Sequence, residues 1–471
     1  MNKAEIDKKV QDALPFKHRW HNRFHLEMPF GRISNPDGLL FYQKEYHIFY
    51  QWNPLNCESE PNSWGHVCTR DFVHYTRPEL SLWPISAQES CGAGCAYAAD
   101  GDFHVIYTNT LADGTVCQCQ GTLQPDGSIR QDSRLIFHLP TGYTHCEAPC
   151  RFCRNGKTYL LLGAQTTEKR GCILLYEEQA TGWQFLGELH TRLGTFGYQW
   201  EFPNLLHFGD HDVLLFCPRG IREEAFKYQN RFQCGYITGH FSPSARELLH
   251  GRFHELDKGF DFYAPQVCHH EGRNILIGWL GLPDGDEEYP TAPYGWQSTL
   301  TLPRSLSLRQ GQLYAQPVRE LESLRIENTA QEIAAQQQRQ LSVPLPDGAE
   351  ILLDIDLGES TLLHFDLLYG LEKIRMTYDR KTQVMCIDRR GMKYGAHGQR
   401  SFRLFAEEHL SLRLFIDKTA IEAFFQHGEK TASFLVFPEK NILPEFFIEA
   451  DTPMENLTSQ TWQLDNIQFN H

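Results

Sequence analysis

No run of about 18 apolar residues occurs anywhere in the 471-residue chain, so no membrane-spanning helix is expected. Basic residues are in short supply: 44 Lys and Arg stand against 59 Asp and Glu, a net charge of −15. A polyanion gains nothing from such a surface, which disfavours nucleic acid and anionic membrane as partners, so neither is expected, and favours a neutral small molecule. The opening segment MNKAEIDKKVQDAL places charges where a secretory leader needs an apolar centre, and cytoplasmic location is the expectation. Helical periodicity is scarce beyond residues 3–14, which pattern as a short amphipathic helix.

Cysteine, by contrast, is plentiful. Fourteen cysteines without a secretory leader imply reduced thiols. Seven of them (Cys91, Cys95, Cys117, Cys119, Cys146, Cys150 and Cys153) crowd into one part of the chain. Only Cys150 and Cys153 have C-x-x-C spacing, and no second pair lies nearby to complete a zinc ribbon. Most read as small buried hydrophobes.

The dominant pattern is short and extended. Apolar runs FHVIYT, TYLLLGA, CILLYE, DVLLFC and NILIGW alternate with turn signals Asp100-Gly101, Asp126-Gly127, Asn155-Gly156 and Glu271-Gly272. Many short strands separated by such turns mean an all-β fold, either a propeller or a sandwich. The length suggests two domains.

Particular residues decide between the two architectures. Phe24-His25, Pro29, Gly31 and Arg32-Ile33-Ser34-Asn35-Pro36-Asp37-Gly38 are followed by Tyr46-His47-Ile48-Phe49-Tyr50-Gln51 and by Trp64-Gly65-His66-Val67 with Asp71. This series resembles the opening of glycoside hydrolase family 32, the β-fructofuranosidases and sucrose-6-phosphate hydrolases, which reads F-H-x-x-P-x-x-G-W-M-N-D-P-N-G, Y-H-x-F-Y-Q and W-G-H-A-x-S-x-D. Asp261-Phe262-Tyr263-Ala264-Pro265-Gln266, Ile275 to Gly281, and Gly295-Trp296 through Pro303-Arg304 are similar to later blades. Leu414 to Asp417 and Ile421 to Phe425 resemble the family's second domain. The resemblance implies a five-bladed β-propeller followed by a C-terminal β-sandwich. The division it suggests is a helical extension over 1–20, a propeller over 21–320, a polar helical linker over 321–338 and a sandwich over 339–471. The sandwich is expected to pack against the propeller and to offer a homodimer surface.

The same resemblance exposes missing chemistry. Retaining glycosidases use two carboxyl groups, one as nucleophile and one as acid/base. The family acid/base, in W-E-C-P-D, matches Glu201 of Trp200-Glu201-Phe202-Pro203-Asn204, which the resemblance makes the proton donor. The family nucleophile falls on Asn35, which cannot form a glycosyl ester. The stabilising aspartate of R-D-P falls on Ala148, and the arginine beside it on Glu147. Other sugar-contacting places fall on Arg32, Ser59, Gly92 and Ala93, whereas Gln51 is kept. The changes gather where family members hold fructose while strand and turn motifs persist, the pattern of a rebuilt pocket.

Asp37 is the nearest replacement carboxylate in sequence; its ordinary reading is a turn residue bonding its own backbone. Glu147 is the next. Strand alternation would put 146, 148 and 150 on one face, so Cys146 and Cys150 would flank Ala148. Cys91, Cys95, Cys146 and Cys150, with His145 and Glu147 nearby, then form a candidate zinc set in which a bound thiolate replaces the missing aspartate; otherwise no cofactor is expected. The guanidinium fork of Arg32 suits a phosphate or carboxylate on the substrate, or a surface salt bridge. The expected function is hydrolysis of a glycosidic bond in a small oligosaccharide or sugar conjugate. The alternatives are a carbohydrate-binding pseudoenzyme and a zinc-thiolate furanosidase.

Overall fold

The computed structural model describes residues 2–58, 62–86, 88–283, 289–395 and 397–470, with backbone only at 133–136 and 138. Antiparallel meanders succeed one another through the first two-thirds of the chain. Their leading strands are Gly31–Tyr42, Ser90–Ala99, Tyr143–Arg154, Gln199–Phe208 and Tyr263–His270. Each leading strand contacts the next, and the last contacts the first, a propeller-like arrangement around a common axis. Closure is explicit: Trp296–Gln297, late in the chain, pairs in parallel with Gly31–Arg32.

Local chemistry explains the meanders. Asp100-Gly101, Asn155-Gly156 and Glu271-Gly272 each place two consecutive residues at positive φ, the backbone of a two-residue turn whose twist matches the flanking strands. Lys157–Thr166 and Gly171–Gln179 are buried along most of their length, as strands covered on both faces must be. The helix Lys3–Ala13 is capped by the Asn2 side chain. It is docked through Lys3, which donates to Glu79 and to the Leu80 carbonyl, and through buried Val10.

The segment expected as a helical linker is largely strand. Two short 3-10 turns, Arg319–Leu324 and Glu327–Thr329, lead directly into the strand Gln331–Pro344. Ala and Gln are good helix formers, but intrinsic propensity is a weak preference and strand pairing overrides it: this polar strand runs along Glu445–Gln463. The long strand Glu445–Gln463 also pairs with Ala349–Asp356 and Leu362–Tyr369, holding the sandwich together around its own core.

The sandwich packs on the propeller through a buried polar network. Arg304 reaches Asp257 at 3.0 Å and Glu422 at 2.6 Å. Glu422 and Asp417 hold His25 between them at 3.2 and 2.9 Å. Burial opposes charge on His25, but the two carboxylates outweigh it and raise its pKa to about 9. The chain then returns to its beginning, with Gln468–Asn470 pairing in parallel with His74–Thr76.

Candidate active site

All five leading strands lose their pairing register near the axis. The breaks fall at Ile33/Pro36 and Pro36/Gly38, Cys91/Gly94, Thr144/Glu147 and Glu147/Cys150, Glu201/Asn204, and Tyr263/Gln266. His145, Ala148, Phe202 and Ala264 adopt positive φ there, uncommon for residues with a β-carbon. Bulges re-aim side chains beside functional sites, and here they recur on every strand that lines the axis. Ala93, Ala148, Phe202, Tyr263 and Ala264 belong to one buried cluster. Polar bonds tie neighbouring sheets: Gln266 to the Gly94 carbonyl, Asn204 to the Pro265 carbonyl, and Gln118 to the Cys146 carbonyl.

Glu201 lies in this ring, 4% exposed. Its Oε1 accepts from Gln199 Nε2 at 2.7 Å. Its Oε2 accepts from Arg219 Nε at 2.8 Å and from the Tyr263 hydroxyl at 2.6 Å. Three donors from two sheets fix the carboxylate. Burial works against the Arg219 charge, and the Glu201 carboxylate more than restores it. Burial, and then the same carboxylate, push the Tyr263 hydroxyl well up, so it stays a donor. Sequence reasoning singled out Glu201 but missed Gln199, Arg219 and Tyr263. Tyr263 stood inside a recognised motif, whereas Arg219 carried no signal because only the hairpin places it opposite Gln199.

Asn35 and Asp37 sit at the two bulges of the first leading strand. Asn35 is partly exposed and Asp37 fully buried. Neither carboxylate oxygen of Asp37 completes a hydrogen bond. Burial raises its pKa well above the usual carboxylate range; the Gln51 side chain and the Gly94 N–H oppose this only in part. Asp37 therefore does not bond its own turn, as its ordinary reading supposed.

The remaining residues divide. Gln51 is buried, Gly92 accepts a hydrogen bond from the Trp64 indole through its carbonyl, and Ala93 joins Ala148 in the axial cluster. Arg32 is half-buried, with its guanidinium 5.4 Å from the centre of the Trp279 ring. Glu147 is half-buried and pairs across to Gly163. Ser59 lies outside the described residues. The four cysteines do not converge on one point. Cys91 packs in one apolar cluster, Cys95 and Cys146 in a second, and Cys150 beside a third. Among the described residues these four form no metal-ligating group. Burial pushes Cys95 and Cys146 up to about 12 and Cys150 to about 11, the reverse of what a nucleophilic thiolate needs. The two bulges in Tyr143–Arg154 are the reason: they break the alternation that would have put 146, 148 and 150 on one face.

A propeller-like ring with a caged glutamate on one inner strand, joined to a sandwich, fits a glycoside hydrolase. The model of the glycosyl hydrolases family 32 N-terminal domain matches residues 25–317, and that of the family's C-terminal domain matches residues 320–460. The chain belongs to this family and is a glycoside hydrolase of the β-fructofuranosidase type. It is 34% identical over 430 residues to a sucrose-6-phosphate hydrolase of Klebsiella pneumoniae, covering 88% of each chain. It is 32% identical over 452 residues to a sucrose-6-phosphate hydrolase of Bacillus subtilis (strain 168), covering 92% of each. The solved structure of sucrose-6-phosphate hydrolase from Lactobacillus gasseri superposes with a TM-score of 0.87 at 25% identity, covering 99% of this chain and 97% of that one.

Proposed function

We propose that this enzyme hydrolyses the β-fructofuranosidic bond of sucrose 6-phosphate or a similarly small sucrose-like sugar, with Glu201 as proton donor. The observation that carries this is the placement of Glu201: buried, and at a bulge of an axial strand. We read the ring as a five-bladed propeller, supported by the parallel closure of Trp296–Gln297 on Gly31–Arg32, with the domain boundary near residue 320. Two named relatives act on sucrose 6-phosphate, and Arg32 offers a guanidinium for the phosphate. Gln51, Gly92, Ala93, Glu147 and Ala148 form the sugar-facing wall in this reading.

Asn35 has no carboxylate to form an ester, so the reaction proceeds by a single displacement. Glu201 protonates the glycosidic oxygen as the bond to the anomeric carbon breaks. The Asn35 side chain holds a water on the opposite face, and Asp37 accepts that water's proton as its oxygen bonds to the anomeric carbon. Inversion at the anomeric carbon follows. The test is turnover of sucrose and sucrose 6-phosphate in the presence of methanol. Hydrolysis without methyl β-fructoside supports the reading; formation of methyl β-fructoside, with the configuration retained, refutes the single displacement, and sugar-induced thermal stabilisation without any turnover refutes catalysis and favours a binder.

A further inference from the structure

The first propeller sheet carries a cluster that the hydrolytic chemistry does not use. His66 and Cys68 lie two residues apart on Ser63–Thr69, so they share a face of that strand. His47, on Glu45–Asn53, stands directly across from Cys68. His47 Nδ1 is 3.1 Å from His66 Nε2, and Cys68 Sγ is 3.4 Å from each. All three residues are buried, at 8%, 4% and 8% exposure.

Their protons do not fill this triangle. The second nitrogen of His66, Nδ1, faces Glu79 Oε1 at 3.3 Å, which draws the ring proton outward. The His47 ring also has a backbone hydrogen-bond partner at Tyr42. With the ring protons on the outer nitrogens, two imidazole lone pairs face each other across 3.1 Å, and a single thiol proton covers only one of them. A cation satisfies all three atoms at once. The circumradius of a triangle with edges of 3.1, 3.4 and 3.4 Å is roughly 1.9 Å. An ion lifted about 1 Å from the plane sits about 2.2 Å from each atom, between ordinary zinc–nitrogen and zinc–sulfur lengths.

We propose that His47, His66 and Cys68 bind one zinc ion, with water completing a tetrahedral set and Glu79 orienting His66 as an outer partner. Two nitrogens and a sulfur suit zinc better than calcium or magnesium, which take oxygen ligands. Binding exchanges the thiol proton of Cys68 for the Zn²⁺–sulfur bond and releases that proton to solvent. Phe49, stacked on His66 at 4.1 Å, and Phe103, 5.0 Å from His47, shield the ion. Lys3 bonds the other Glu79 oxygen at 2.8 Å, so the ion would also brace the N-terminal helix. Its role is to tie the second and third strands of the sheet whose first strand bears Asn35 and Asp37.

The test is cobalt and zinc titration of the chelator-stripped, full-length protein. The expected result is one Co²⁺ per chain with a thiolate-to-cobalt charge-transfer band, displaced by one equivalent of Zn²⁺. Cys68→Ala should abolish the band, with circular dichroism showing that the variant is folded. Glu79→Gln should weaken zinc binding by about 10–100-fold. Absence of the band in the parent protein overturns the proposal. So does an identical band in folded Cys68→Ala, which would place the ion on another cysteine.

Discussion

At the scale of single residues, the account turns on two carboxyl groups in opposite circumstances. Glu201 has three donors; Asp37 has no completed hydrogen bond. Removing the Tyr263 hydroxyl deletes one donor and leaves the rest of the cage. Tyr263→Phe is expected to lower kcat by about tenfold and to move the acidic and basic limbs of the pH–rate profile, which a merely structural change would not do. Asp37 predicts a split. Its folded-state pKa lies above its unfolded value, so the folded protein binds the extra proton and stability falls as pH rises from the unfolded carboxylate range through the folded pKa. Asp37→Asn should therefore raise stability at neutral pH, by about 1–3 kcal/mol, and flatten that pH dependence in denaturation curves while abolishing most turnover. A variant that is both less stable and fully active would contradict the assignment. Asn35→Asp restores an ester-forming group, and methyl β-fructoside should then appear in methanol.

At the scale of elements, the bulges are what position these groups. Gly163 shows how tightly they are held: a β-carbon there would lie 2.3 Å from the Trp200 carbonyl oxygen and 2.8 Å from the Glu201 Cα. Gly163→Ala must push the acid's own strand away. The expectation is a stability loss of about 1–3 kcal/mol together with a kcat loss larger than the change in KM, read by thermal unfolding and steady-state kinetics. Bulges were also the least legible feature of the sequence. Apolar runs and the Asp-Gly and Asn-Gly turns marked the strands because burial and turn geometry act locally. The positive φ at His145 and Ala148 leaves no such mark, because neither is a residue type that ordinarily signals that conformation. Simple alternation therefore put Cys146 and Cys150 on one face and assembled a zinc-thiolate centre whose four cysteines form no common ligand group among the described residues. The histidine pair that does meet a cysteine lay in recognised motifs, but cross-strand register, which only pairing fixes, was needed to bring His47 opposite Cys68. The Gln-rich stretch before Pro344 misled for a related reason: its helix-favouring residues reveal nothing about the partner strand that recruits them.

At the scale of the whole molecule, the two domains are joined by buried charge. His25 is raised to about 9, whereas Asp417 and Glu422, which burial alone would raise, are held down by His25 and, for Glu422, first by Arg304. The His25 contribution is complete below its unfolded value near 6.5 and is lost as pH rises through about 9; its size is about 3 kcal/mol at most. The two carboxylates contribute above the unfolded carboxylate range and lose that contribution as pH falls through their lowered values. This network's contribution should thus plateau in mildly acidic solution and decline on both sides, and His25→Gln should remove its alkaline part. Arg304→Leu, which strands Glu422 and Asp257, should cost about 3–5 kcal/mol and loosen the sandwich from the propeller. The most direct measurement of the central claim is the hydrolysis rate of the Glu201→Gln protein on sucrose 6-phosphate, alongside sugar-induced thermal stabilisation. The account predicts a fall in kcat of about 10²–10⁴-fold with sugar binding retained; turnover at the parent rate in that variant would contradict it.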